Sequence, residues 1–386
     1  MSIIGRVGIR GKIALSVALC SLVWIAAVLV LHGDMRSDPQ FALPMDHHKY
    51  LAMAQQDLGS FRIAPFCWRI GMPSLARMVG GDPWTIMAVL TSVGLISMLC
   101  AVALLVWDAT ASKRHVLGVC VTALAMGWLT RTSVWNPATV DMLACGLMMV
   151  SVYLLTRRVW VWSAIVLCSA VLVKESALLA LPIALVVSSQ RPWKQLSMWV
   201  LPAVVVVAIV RLSIPAGNAD ASYLATLPEA LRLVQHGTST YSLSYLVSTI
   251  ALDRLLHPSL SDIWALTGDS IGLVAGSMVI AAVWDVPSRR WFVVMLCAVT
   301  AAQVLLAVNI QRVVLMSGPA LAAIGWMYLG STRLRWASEL LVYLACGLLV
   351  VATVGSRVSP SMLVQAAALV VLIGTYLYQH RRELEG

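Results

Sequence analysis

Charge is what this sequence has least of: 11% of its 386 residues are Asp, Glu, Lys or Arg, with 17 acids and only five lysines. A soluble chain of this length needs far more polar surface to cover one or two cores, so a soluble fold is excluded. Low-complexity linkers and convincing internal repeats are lacking as well, so residues 1–386 read as a single transmembrane domain. No Walker-type phosphate loop is present, which argues against ATP as an energy source. The eight cysteines offer neither a disulfide framework nor zinc-site spacing, because seven fall in apolar runs and only Cys67 lies in a loop. After the first apolar run, Ile13–Leu31, the sequence continues Gly33-Asp34 without a small-x-small cleavage site, so that run is expected to be a retained span.

What the chain has is hydrophobic length. Hydrophobic residues make up 60% of it and the mean hydropathy is +0.87. They come in runs of about 15 to 25, enough to cross a bilayer core. The fold class expected is all-α and polytopic, with about twelve spans. These fall near 13–31, 84–107, 116–130, 136–155, 159–173, 176–188, 196–214, 262–284, 292–308, 313–329, 337–354 and 362–378. With the N-terminus inside, the short inner segments carry Arg6, Arg10, Lys12, Lys113, Arg114, Arg157, Arg158, Arg191, Lys194, Arg289, Arg290, Arg333, Arg335, Arg381 and Arg382. Only five acids accompany these fifteen bases, so the whole formal charge of +10 is cytoplasmic, as the positive-inside rule requires. The basic pI is therefore a topology signal, and no nucleic-acid partner is expected. Both termini are expected inside a bacterial plasma membrane, with loops 32–83 and 215–261 outside.

Polar chemistry concentrates on that outer side. Asp46 precedes His47–Leu58 and Gly59 follows, in the order of N-cap, helix and stop. Tyr50, Leu51, Ala54 and Leu58 share a face, so this helix is expected to lie in the interface. A second helix-like stretch, Trp68–Val79, ends at Gly80-Gly81, and Asp82-Pro83 then opens the second span. Asn136-Pro137 is expected to open the fourth span in the same way. Ionisable residues at membrane depth are functional candidates by default, and Asp141, the Lys174-Glu175 pair, Asp269 and Arg312 all fall on the outer side.

Five stretches then stand in order: Asp46-His-His-Lys-Tyr50, Ala64-Pro-Phe-Cys-Trp-Arg69-Ile-Gly-Met-Pro73, Trp135-Asn-Pro-Ala-Thr-Val-Asp141, Val173-Lys-Glu175, and Asn309-Ile-Gln-Arg312 before Pro319. This series resembles the small multi-span members of the GT-C glycosyltransferase superfamily, over roughly residues 30–320. The resemblance implies a transferase that takes a monosaccharide from a polyprenyl-phosphate donor to a glycan, lipid or protein acceptor at the outer face, with inversion. Asp46 then matches the general base, and Arg69, Lys174 and Arg312 are the candidates for binding the donor phosphate. Tyr50, Arg62, Glu175 and Asp38 are further substrate-site candidates. No cofactor or metal set is implied, and a divalent cation is left open. Two departures stand out: the chain ends soon after the last span, and Asn309 occupies a position where an acid is common.

Each residue also has a structural reading. Asp46 serves equally as a helix N-cap, worth about 1 kcal/mol. His47 and His48 suit polar interface positions, since no other ligand has helical spacing with them. Arg62 and Arg69 can snorkel toward head groups. Lys174-Glu175 can be a self-neutralising pair at a helix break, and Asp141 suits the start of its helix dipole. Gly268, Gly272 and Gly276 form a packing ridge. Two other functions compete with transfer: a transporter or flippase of a lipid-linked saccharide, and a non-catalytic assembly subunit. The clustering of polar sites on one side, without an inverted repeat, weighs against a carrier.

Overall fold

The computed structural model describes residues 3–42, 46–126, 133–187, 193–218, 220–228 and 310–329, with isolated positions beyond them. All regular structure among them is helical: α1 (Ile3–His32), α2 (Asp46–Gln55), α3 (Gly71–Val79), α4 (Pro83–Thr110), α5 (Lys113–Leu124), α6 (Ser133–Trp135), α7 (Asp141–Thr156), α8 (Trp160–Val173), α9 (Ala180–Val187), α10 (Trp193–Ser213), α11 (Ala221–Thr226) and α12 (Ile310–Leu329). Helices α1, α4 and α10 are each long and apolar enough to cross a membrane, whereas α7, α8 and the stretch Glu175–Val187 are apolar but shorter. The spans expected at 262–284, 337–354 and 362–378 lie outside the described residues, as does nearly all of 292–308.

Helix α4 is the centre of the described bundle and packs most extensively on α7, with α1, α5 and α12 around it. The close α4–α7 crossing depends on two small residues. A Cβ added at Gly94 would stand 2.6 Å from Leu143 Cα, and one added at Gly146 would strike the Gly94 backbone. Small residues let backbones approach in this way where lipid offers no hydrophobic drive for helix association. The expected ridge of Gly268, Gly272 and Gly276 lies outside the described residues. Gly94→Leu should therefore force the helices apart and cost about 1–3 kcal/mol or more. A lowered melting temperature in detergent, relative to Gly8→Leu at a position with open space around it, is the measurement.

A set of polar side chains inside the bundle is matched within itself. Ser151 Oγ donates to the Ser163 carbonyl and Ser163 Oγ to the Ser151 carbonyl, both at 2.7 Å, and Trp199 Nε1 adds a bond to Ser151 Oγ at 3.2 Å. These bonds tie α7, α8 and α10 together where no water competes.

Charges gather at both ends of the described bundle. At one end, Asp108 at the close of α4 takes Arg10 of α1 at 2.8 Å and Arg157, just past α7, at 3.3 Å. Three of the basic segments read as cytoplasmic thus meet there. At the other end lie α2, α3 and the turns between them. The cap at Asp82 is as expected: its carboxylate accepts from Trp84 and Thr85 N–H, with Pro83 at the first helical position.

Two local expectations need correction. The face of α2 expected to meet the interface turns into the protein instead: Tyr50 and Ala54, with His47 and Lys49, are buried, and the helix packs on α3, α4 and the turn Phe66–Trp68. Helix α3 instead shows apolar side chains outward, at Leu75, Met78 and Val79. Asn136-Pro137 does not open the fourth span either; α7 begins at Asp141. The Pro137 carbonyl is held by Thr91 Oγ1 at 2.9 Å, and Asn136 is drawn under α2, with Nδ2 3.4 Å from His47 Nδ1.

Candidate functional site

Three chain segments, far apart in sequence, supply one cluster. The first is α2, which places Asp46, Lys49 and Tyr50 on successive turns of one helix. The second is the turn Phe66–Trp68, capped at Arg69. The third is the break between α8 and α9, where Lys174 is extended (φ −160°, ψ 126°) and Glu175 starts a short 3-10 turn. Glycine is required at one place in this assembly: a Cβ on Gly71 would stand 2.9 Å from the Leu172 carbonyl carbon and the Val173 nitrogen. That contact sets the start of α3 directly against the end of α8.

Arg69 is the hub. Its Nε and Nη2 donate to the two oxygens of Glu175 at 3.1 and 3.0 Å, a bidentate fork, and its Nη1 donates to Tyr50 Oη at 3.0 Å. Burial pulls the guanidinium down in pKa, but Glu175 and Tyr50 outweigh it and hold Arg69 well above its ordinary value. Burial likewise raises the Tyr50 hydroxyl, so it stays neutral as an acceptor for Arg69 and a donor for a ligand. Phe66 lies beneath this pair, edge-on to Tyr50 at 5.5 Å, with Arg69 5.8 Å from its ring centre. Lys49 Nζ approaches the same ring to 4.6 Å. Asp46 sits at the rim with its side chain 23% exposed, and its Oδ1 is 3.9 Å from Lys49 Nζ.

The Lys174-Glu175 pair is not self-neutralising. Glu175 is taken by Arg69, while Lys174 turns the other way and pairs with Asp141 at the first turn of α7. The Lys174–Asp141 pair is almost fully buried, and the Arg69–Glu175 pair is closer to the rim. Arg312 belongs to α12, which packs against the 3-10 turn after Lys174 as well as against α4, α5 and α7. The side chain of Arg312 and the whole of Asp269 lie outside the described residues.

Other candidates have structural roles here. Arg62 pairs with Asp220 at 3.3 Å, stacks 4.4 Å over the Tyr223 ring, and donates its backbone N–H to Tyr223 Oη at 2.7 Å. Asn218 both accepts from the Ala64 N–H at 2.7 Å and donates to the Ala64 carbonyl at 3.1 Å. The start of the second long loop is thereby fastened to the first. Asp38 caps the turn Met35–Ser37 through its backbone, and Asp34 pairs with Arg36 at 2.7 Å. Sequence reading missed Lys49 and Phe66, although Lys49 stands three residues after Asp46 and Phe66 three before Arg69.

His47 is a neutral ring in this packing. It stacks on Phe41 at 4.9 Å and its Nε2 is 3.2 Å from the Phe41 carbonyl, which His48 Nε2 also reaches at 2.7 Å. Burial first, then the neighbouring His48, lowers the His47 pKa to about 4 from 6.5. A base depressed on folding must be charged against the packing in acid. Its destabilising effect is absent above about pH 6.5 and grows to its full size as pH falls through 4. Acidification across that window should therefore cost wild type about 1–3 kcal/mol more than His47→Gln, read as the pH dependence of melting temperature.

No family model matches the chain, and no curated protein matches it. Two solved structures are similar to it: the apo form of the Archaeoglobus fulgidus oligosaccharyltransferase, 13% identical with a TM-score of 0.49, and AglB from the same organism in complex with an inhibitory peptide and a dolichol-phosphate, 12% identical with a TM-score of 0.48. Each alignment covers 94% of this chain and 55% of that chain, so the chain spans about half the length of the structures it matches.

Proposed function

We propose that this protein is an inverting glycosyltransferase that uses a polyprenyl-phosphate monosaccharide and acts at the outer face of the membrane. The observation that carries the reading is the Arg69 cluster, in which Glu175, 106 residues away, and Tyr50 hold one guanidinium, with Asp46 one turn before Tyr50 on α2. Asp46 takes the proton from the acceptor hydroxyl as that oxygen attacks the anomeric carbon. The bond from that carbon to the phosphate oxygen breaks from the opposite side, and the electron pair leaves on the phosphate. Charge developing there needs fixed donors. Arg69 has five N–H groups and uses three on Glu175 and Tyr50, so two remain for phosphate oxygens. Arg312, whose helix packs against the turn at Glu175, completes the phosphate set in this reading, Lys174 holds that turn in place through its buried pair with Asp141, and Tyr50 orients the head group.

The glutamate and tyrosine hold the Arg69 fork in one plane before any ligand arrives, which spares the entropy of ordering it. The test is direct: purified protein in nanodiscs, given polyprenyl-phosphate monosaccharides and a mixed acceptor pool, should consume the sugar-lipid and release polyprenyl phosphate. Movement of intact sugar-lipid between leaflets without its consumption would favour a flippase and refute the transferase reading.

A further inference from the structure

Lys49 is the most unusual charge in the described residues. Its side chain is 1% exposed, on the inner side of a helix whose first residue, Asp46, is at the rim. The ammonium makes no hydrogen bond among the described residues; its contacts are the Phe66 ring at 4.6 Å and the Asp46 carboxylate at 3.9 Å. Burying an ammonium is costly unless something close by uses the charge. Nothing about packing demands it, because a methionine fills the same volume on an aromatic ring without that cost.

The surrounding charges narrow what it can act on. Along α2, His47 is a neutral ring next door and Tyr50 is a buried neutral hydroxyl. Across Phe66, Arg69 is already matched by Glu175, and beyond Tyr50 the Lys174–Asp141 pair is matched within itself. On α3, Arg77 pairs with Asp57, and at the start of α4, Asp82 pairs with Arg36 at 3.3 Å. Asp46 is thus the carboxylate in direct reach of Lys49.

We infer that Lys49 is a positioning residue: the buried ammonium behind Asp46 keeps that carboxylate ionised and turned to the rim, so that it is ready to accept a proton. The inference rests on the reading of Asp46 as the base, and it adds a pH signature to that reading. A carboxylate with an opposite charge at about 4 Å titrates about one unit or more lower than without it. Burial also lowers the Lys49 pKa to about 8 from 10.5, which is still well above the range in which carboxylates titrate, so the ammonium stays charged throughout that range. Arginine in its place keeps its charge throughout.

The experiment reads Asp46 itself, without needing turnover. Wild type, Lys49→Met and Lys49→Arg in nanodiscs are treated with a water-soluble carbodiimide, which reacts with protonated carboxyls, across pH 3–8, and labelling of Asp46 is read by peptide mass spectrometry. The midpoint should rise by about one pH unit or more in Lys49→Met and return to the wild-type value in Lys49→Arg. Equal midpoints in all three proteins would overturn the inference. Should Lys49→Met not fold, Lys49→Gln takes its place in the labelling, with the same rise expected, and an unchanged midpoint would refute the role. Failure of the transferase reading shows elsewhere, as sugar-lipid left unconsumed by wild type with the labelling shift intact.

Discussion

Asp46→Asn should lower turnover by about 10²–10⁴, the usual loss on removing a general base, while the protein stays folded and donor affinity changes little. Asparagine keeps the size of the side chain and remains a good residue at the start of α2, so a structural role would lose only a few tenths of a kcal/mol. The two roles therefore separate by orders of magnitude. Asp34→Asn and Asp38→Asn provide the comparison, because the Asp34 carboxylate serves Arg36 and Asp38 caps a turn through its backbone. Their effects on rate should be within a few fold. Single-turnover rates with saturating donor, alongside direct donor binding, make the measurement. Turnover by Asp46→Asn within tenfold of wild type would remove Asp46 as the base.

Glu175→Gln is expected to harm both stability and donor binding. It leaves Arg69 half-buried with one neutral acceptor where it had a bidentate carboxylate, and breaking such a pair from one side costs about 2–4 kcal/mol. The freed guanidinium can also leave the plane that Tyr50 and Glu175 impose, so affinity for polyprenyl phosphate should fall about tenfold or more. Arg69→Met should be equally destabilising, for it strands the carboxylate. The double variant Arg69→Met/Glu175→Met tests the cause: with no stranded charge, it should be more stable than either single variant, although it should bind no donor phosphate. Melting temperature and binding read together distinguish this from simple loss of contact. A double variant whose destabilisation equals the sum of the singles would show that the two side chains do not act as a pair.

Membrane class and the two-ended distribution of charge were legible from residue order alone. Hydropathy and charge placement are local properties, and a run such as that in α4 has few other ways to be satisfied. The cap at Asp82 was legible for the same reason, since Asp82-Pro83 opens its helix through contacts two and three residues away, whereas Asn136-Pro137, drawn under α2 by distant contacts, misled. The candidate site was legible as a set of residue types in order: Asp46, Tyr50, Arg69, Lys174 and Glu175 were all singled out. Their partners were not. Adjacent Lys174 and Glu175 invite pairing with each other, yet the extended backbone at Lys174 sends neighbouring side chains to opposite faces. One meets Asp141, 33 residues back, and the other meets Arg69, 106 residues back.

The close approach at Gly71 and the α4–α7 crossing at Gly94 and Gly146 were also invisible in the sequence, where each is one glycine among 24. Sequence by itself determined the long apolar helices and singled out the polar residues kept among them, because both follow from composition and short-range order. Tertiary structure alone decided which cation meets which carboxylate, and that a lysine lies buried behind Asp46. Such pairings depend on how distant segments close upon one another, and no local pattern encodes that geometry.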